Sequence, residues 1–291
     1  METFITLVAA GIAQGGIYTL VALGLVITYK ASGIINFSQG ALVAMGAFLG
    51  YWLISDLGWN WLTAYAVVTI GMFLFSGALA RVAIEPIRRR VQVMVMVSTF
   101  ALSLIIEALL RLWRGTNPIS LPSPVGNGVL HLGPVRVPAQ VVLVVAVAAV
   151  LVGLIVLVFT STSIGRQVRA LAADRTAARL AGVRTVAMSF LVFGAAGAVA
   201  ALGGLLVAPL TGMSTSLGFS IMLTAFAAAV IGGFDRLSGV VLAAMVLAIG
   251  QALASGYLSA TFNEAYPFLI MLVVLLFRPR GLFAAVERTR F

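Results

Sequence analysis

Apolar runs of about 20 residues recur from one end of the chain to the other, each long enough to cross a hydrocarbon core of about 30 Å. That core holds no water, so a backbone inside it must satisfy its own hydrogen bonds, which leaves helices or closed barrels. A barrel alternates polar and apolar residues in short segments, and these runs do not alternate. Nine stretches stand out, at approximately 4–29, 33–55, 60–82, 91–112, 139–160, 185–208, 219–233, 239–257 and 266–277. The expectation is an all-α polytopic membrane protein of about 8–10 transmembrane or half-spanning helices, forming a single transmembrane domain over residues 1–291. With 62% hydrophobic and 9% charged residues, the chain has too little polar surface to cover a soluble domain. There is no cysteine, which excludes disulfides and thiolate metal sites. No basic residue precedes the first apolar run, so that run reads as a first span and not as a cleaved signal peptide.

Lysine and arginine counting sets an expected orientation. With the amino terminus outside and strict alternation, fifteen basic residues fall on the cytoplasmic side and three, Arg111, Arg114 and Arg136, fall outside. That bias fits the positive-inside rule and makes the carboxyl terminus cytoplasmic. The net charge of +10 is then explained by orientation and anionic headgroups, with no nucleic acid required. The segment 161–184 is cytoplasmic on this reading. The external loop 113–138 carries five prolines, has no expected helix of its own and can form an ordered cap. His131, the single histidine, lies in it.

The longest polar segment runs from Gly165 to Val183 and carries helix punctuation. Asp174 can cap a following helix and Gly182 can close it in a left-handed conformation. So short a helix is marginal alone in water, and something must pack on it. Alanines at 170, 172, 173, 177, 178 and 181 leave a smooth surface between the arginines. A solvated loop held inside by its charge is the plain reading; a helix pressed into a cleft of a soluble partner is the functional one.

Polar residues within the apolar stretches mark candidate breaks and a candidate pathway. Asn36, Ser38 and Gln39 fall at or inside the hydrocarbon in the run Ser32–Gly40, and each needs a partner there. A second interrupted run is expected at Ile231–Gly239. Paired interruptions early and late in a chain are the trace of an internal repeat in transporters. Glu107 lies well inside the fourth stretch, where a bare charge costs about 2.5–3.5 kcal/mol. Arg111, one turn on, can pair with it. The candidate pathway residues are Asn36, Phe37, Ser38, Gln39, Gln14 and Glu107.

The missing motifs also discriminate. The one lysine, Lys30, has no phosphate-cradling loop around it. No His-Glu-x-x-His or Gly-x-Ser-x-Gly occurs, and a membrane enzyme is poorly supported. An ion-coupled carrier usually needs buried acidic residues, and Glu107 is the one candidate. A pore-forming subunit driven from elsewhere is the leading reading, with a stand-alone secondary carrier as the alternative.

The run Tyr29-Lys30-Ala31-Ser32-Gly33-Ile34-Ile35-Asn36-Phe37-Ser38-Gln39-Gly40 resembles the signature of the branched-chain amino acid ABC transporter permeases, H-type subunit. Gly165-Arg166, Arg169-Ala170, Asp174, Ala177 and Leu180-x-Gly182 resemble that family's cytoplasmic motif. Ala228–Gly233 and Arg278–Phe283 resemble its late landmarks, and the similarity runs in order over essentially the whole chain. The resemblance implies a second permease subunit of the M-type, two ABC ATPase subunits and an extracytoplasmic solute-binding protein, all in a prokaryotic inner membrane. ATP would be used by the ATPase subunits, with no cofactor bound by this chain. Residues Gly165, Arg166, Arg169, Ala170, Asp174, Ala177, Leu180 and Gly182 would form the coupling element, and the Asn36–Gln39 break would lie by the pathway. Many relatives carry histidine where this chain has Gln39, and glutamine cannot titrate. The superfamily also moves urea and short amides, so a permease for those solutes is the alternative.

Overall fold

The computed structural model describes residues 2–87, 91–126, 128–132, 135–234 and 236–278. All nine expected stretches form helices. They are α1 (Glu2–Ser32), α2 (Gln39–Tyr51), α3 (Trp61–Leu79), α5 (Gln92–Arg114), α6 (Ala139–Ser161), α9 (Thr185–Thr211), α10 (Leu217–Gly232), α11 (Leu237–Tyr257) and α12 (Tyr266–Phe277). π-helical turns extend α2 over Trp52–Asp56 and α3 over Ala80–Ile84, where the short α4 (Glu85–Ile87) follows. The polar segment forms α7 (Ser163–Ala173) and α8 (Arg175–Leu180). Among the described residues, six helices are long and apolar enough to cross a membrane, and α10 and α12 are shorter apolar helices.

The helices fall into two sets with interchangeable packing. In each set a long helix is followed by a break, a short helix, a further helix and a flanking helix: α1, α2, α3, α5 and α9, α10, α11, α12. The largest interfaces are α1 on α11 and α9 on α3. Likewise α1 packs on α10 and α9 on α2, while α5 lies on α2 and α12 on α10. Each of the two largest interfaces has one buried tyrosine hydrogen bond. Tyr18 Oη donates to Gln251 Oε1 at 3.1 Å, and Tyr65 Oη donates to the Leu205 carbonyl at 3.1 Å. The long helices run antiparallel, because Gly24 lies by Ala196 whereas Gly203 lies by Ile17 and Val21. The expected repeat is therefore present, and it is inverted.

The breaks correspond as well. α1 ends at Gly33 with φ 72° and α9 ends at Gly212 with φ 74°. The chain then turns back into the fold, and the short helices begin as Ser38-Gln39-Gly40 and Ser216-Leu217-Gly218. These beginnings meet: a β-carbon on Gly40 would strike the Gly218 carbonyl oxygen, and one on Gly218 would strike that of Gly40. Gln39 lies against Gly24, which is eight residues from the end of α1, or about 12 Å along the helix axis. The short helices thus start deep in the bundle.

One expectation is corrected. The late interruption at Ile231–Gly239 is a tight turn between α10 and α11, closed by Gly233 at φ 80°; its Asp235 lies outside the described residues. The true counterpart of the first break is 212–216. A glycine with positive φ ends the helix before both kinds of chain reversal, and only packing distinguishes them. The proline-rich loop, expected to lack a helix of its own, holds an antiparallel hairpin, β1 (Val129–Leu132) and β2 (Val135–Pro138). Strand pairing satisfies the backbone of this proline-rich cap. Arg88–Arg90 and the landmark residues 279–283 lie outside the described residues.

Crowding at the meeting point predicts that Gly218→Val destabilises the protein by about 1–3 kcal/mol, through overpacking against backbone. Gly71→Ala, with open space around it, should leave stability unchanged. Thermal melts of the detergent-purified variants check both.

Candidate functional site

The expected pathway residues separate into three places. In the first re-entrant segment the Asn36 carboxamide closes a local turn. Its Oδ1 accepts from Ser38 N at 3.2 Å and from Ser38 Oγ at 2.7 Å. Gln39 Nε2 donates to the Ala196 carbonyl at 2.9 Å, pinning the start of α2 to the middle of α9. Its Oε1 is buried with no hydrogen-bond partner among the described residues. Asn36, Ser38 and Gln39 are each at most 1% exposed, so their present contacts are structural. Phe37 is half-buried between Phe100 of α5 and Phe226 of α10, with ring centroids at 6.5 and 6.2 Å.

The second re-entrant segment is fixed from outside its own set. Ile119 and Met213 exchange two backbone hydrogen bonds, at 3.0 and 2.7 Å. Arg111 Nε donates to Thr215 Oγ1 at 3.2 Å, and the Arg111 guanidinium pairs with Glu107 at 3.6 Å, as expected from their spacing. On the same helix, Thr99 Oγ1 accepts from Phe37 N at 3.2 Å. One polar edge of α5 therefore holds both re-entrant segments at points about 18 Å apart. Sequence reasoning missed Thr99 and Thr215. The signal for Thr99 was available: Thr99, Ser103 and Glu107 recur every four residues, and all three are buried.

Gln14 stands apart from both. It lines a cavity of about 490 Å³ between α1, α6, α9 and α11, with Thr6, Ser255 and Asn263 among the polar groups.

The polar segment folds as its punctuation dictates. Thr162 Oγ1 accepts from Gly165 N at 3.3 Å and caps α7. Asp174 Oδ1 accepts from Thr176 N at 2.7 Å and Ala177 N at 3.0 Å, capping α8. Gly182, at φ 87°, closes it. Gly165, Val168, Leu171 and Ala178 are buried, and a β-carbon at 165 would strike the Phe159 backbone. Arg166, Arg169, Ala170, Asp174 and Ala177 face outward, and Arg169 donates to the Phe159 carbonyl. Leu180 is 86% exposed at the tip of α8. Arg175 is half-buried against Glu85, and desolvation holds its guanidinium pKa below the ordinary value despite that carboxylate. Among the described residues no three His, Cys, Asp or Glu side chains gather as a metal site would require.

Residues 7–277 match the family described as "Branched-chain amino acid transport system / permease component". The high-affinity branched-chain amino acid transport system permease protein LivH of Escherichia coli K12 is 28% identical over 95% of this chain and 94% of its own. BraD of Pseudomonas aeruginosa, described as the same kind of permease protein, is also 28% identical, with the same coverage of both chains. A solved structure, PsaBC from Streptococcus pneumoniae in complex with Fab, aligns with TM-score 0.50 at 13% identity, covering 93% of this chain and 91% of that one. That likeness concerns the fold alone. The family match spans the spans, the re-entrant segments and the polar helices together, and the chain belongs to the family of branched-chain amino acid transport system permease components, as a multi-pass inner-membrane protein.

Proposed function

We propose that this permease forms the translocation pathway of an ATP-binding-cassette importer for branched-chain or related amino acids, with α7 and α8 as the docking site of the ATPase subunits. The observation that carries the docking assignment is the exposed face of α8. A six-residue helix with a leucine 86% exposed at its tip lies beside outward-facing arginines. An isolated apolar side chain on a small-residue helix suits insertion into a cleft on a partner. α8 is anchored on its other side, so displacement of its tip moves the bundle beneath it.

On this reading α8 faces the cytoplasm, the hairpin loop faces outward and the two termini lie on opposite sides of the membrane. A second permease of the M-type completes the pore, two ATPase subunits bind and hydrolyse ATP, and an extracytoplasmic binding protein delivers the solute. This chain holds no cofactor of its own. Of the predicted pathway residues, the half-buried Phe37 and the cavity-lining Gln14 are the ones that reach an accessible surface, and Glu107 is buried beside the more exposed Arg111. Asn36, Ser38 and Gln39 shape the re-entrant segment behind Phe37. Switching is a two-state process in which the motor's contacts favour one packing over the other.

Leu180→Asp is expected to abolish co-purification of the ATPase subunits while the permease still inserts. Asp174→Arg and Arg169→Glu should leave insertion intact and uncouple ATP hydrolysis from uptake; normal uptake in these variants would remove the docking assignment. Asn36→Leu leaves Ser38 without its acceptor at a cost of about 1–3 kcal/mol, and uptake should fall while assembly persists. Competition between labelled leucine, urea and acetamide in vesicles holding the complete transporter tests the substrate class. Uptake of urea in preference to leucine would overturn it.

A further inference from the structure

α8 makes few helix-on-helix contacts beyond α7, yet a docking helix can act on the pathway only through a connection to it. Among the described residues, Arg175 makes a polar connection of this kind. Arg175 is the first residue of α8, and its guanidinium points in two directions at once. Nη1 donates to the Ala31 carbonyl at 3.3 Å, and Nη2 donates to Glu85 Oε1 at 3.2 Å.

Both acceptors lie at helix ends. Ala31 is in the last turn of α1, two residues before Gly33, where the helix stops and the re-entrant segment begins. Carbonyls of a last turn lack partners within their own helix, and a cation there is favoured by the helix dipole. Arg175 thus caps α1 from a segment 144 residues away in sequence. Glu85 opens α4, beyond the π-helical extension of α3. The Arg175 and Glu85 side chains are 25% and 24% exposed, so water screens this pair less than a fully solvated one. The planar guanidinium can serve two acceptors with one rigid group, which a lysine ammonium on a flexible stem does less well.

We propose that Arg175 is the positioning residue that transmits displacement of α8 to the first re-entrant segment, by holding the end of α1 and the end of the α3 extension together until α8 moves. When the docked motor shifts α8, the cap on α1 and the bond to α4 are loosened in one step. The last turn of α1 can then reorient about Gly33 and carry Phe37 and α2 with it. This rests on the reading of α8 as the docking helix, and the test separates the two.

The experiment uses the complete importer, with second permease, ATPase subunits and binding protein, in proteoliposomes. Three quantities are read: co-purification of the ATPase subunits, ATP hydrolysed, and solute moved per ATP. Arg175→Ala should retain the ATPase subunits and hydrolysis, while solute moved per ATP falls about tenfold, within the usual range of coupling between sites. Arg175→Lys should show a smaller fall, about two- to threefold, because it keeps the charge and loses the fork. Glu85→Gln, which keeps an acceptor oxygen, should resemble Arg175→Lys, and both carry the test if the alanine variant does not fold. A purely structural role lowers the amount of transporter but leaves the ratio unchanged, and an unchanged ratio in the lysine and glutamine variants overturns the proposal. Loss of ATPase binding in Arg175→Lys also overturns it, since Arg175 would then be a docking residue. If the unaltered permease does not bind ATPase subunits, the reading of α8 fails instead.

Discussion

Lipid offers no hydrogen bonds, and every departure from helix in this bundle has to be satisfied by protein. The first re-entrant segment takes Thr99 for the Phe37 amide and the Asn36 carboxamide for the Ser38 amide. The second borrows Ile119 from the hairpin loop and Arg111 from α5. Apart from the local Asn36–Ser38 bond, these partners come from elements distant in sequence, so each segment depends on the bundle closing around it. They also explain why a peripheral helix such as α5 carries a buried polar edge at all. Its Thr99 hydroxyl holds a backbone amide of the first segment and its Arg111 holds the Thr215 side chain of the second, in segments that would be intolerable in hydrocarbon if exposed.

The other end of the same logic is the attachment of α8. A helix of six residues cannot hold itself together. It persists because Asp174 caps its start, Gly182 turns the chain at its end and Ala178 is buried beneath it. The face left over carries Leu180 and arginines. Stability and presentation come from different residues of one short stretch, so substitutions on the outer face can remove partner binding without unfolding the helix.

The helix count and positions were legible in the sequence because a span must be both apolar and about 20 residues long. The caps at Asp174 and Gly182 and the Glu107–Arg111 pair were legible because they depend on neighbours within one turn. The second re-entrant segment was not. Thr211-Gly212 and Ser216-Leu217-Gly218 repeat Ser32-Gly33 and Ser38-Gln39-Gly40 with one residue fewer between them, but the louder Gly232-Gly233 pair drew the assignment away. Arg175 was counted as a basic loop residue, and its two partners, Ala31 and Glu85, are set by the bundle's packing and by nothing local. Gln14 was grouped with the pathway by residue type, and the fold places it on a cavity between α1, α6, α9 and α11.

The antiparallel correspondence of the two helix sets has a consequence for the transport cycle. Inverted repeats of this kind let a transporter rock one bundle against the other around a fixed point. The Gly40–Gly218 crossing, where the two short helices meet backbone to backbone with no room for a side chain, is the natural fulcrum for such a motion.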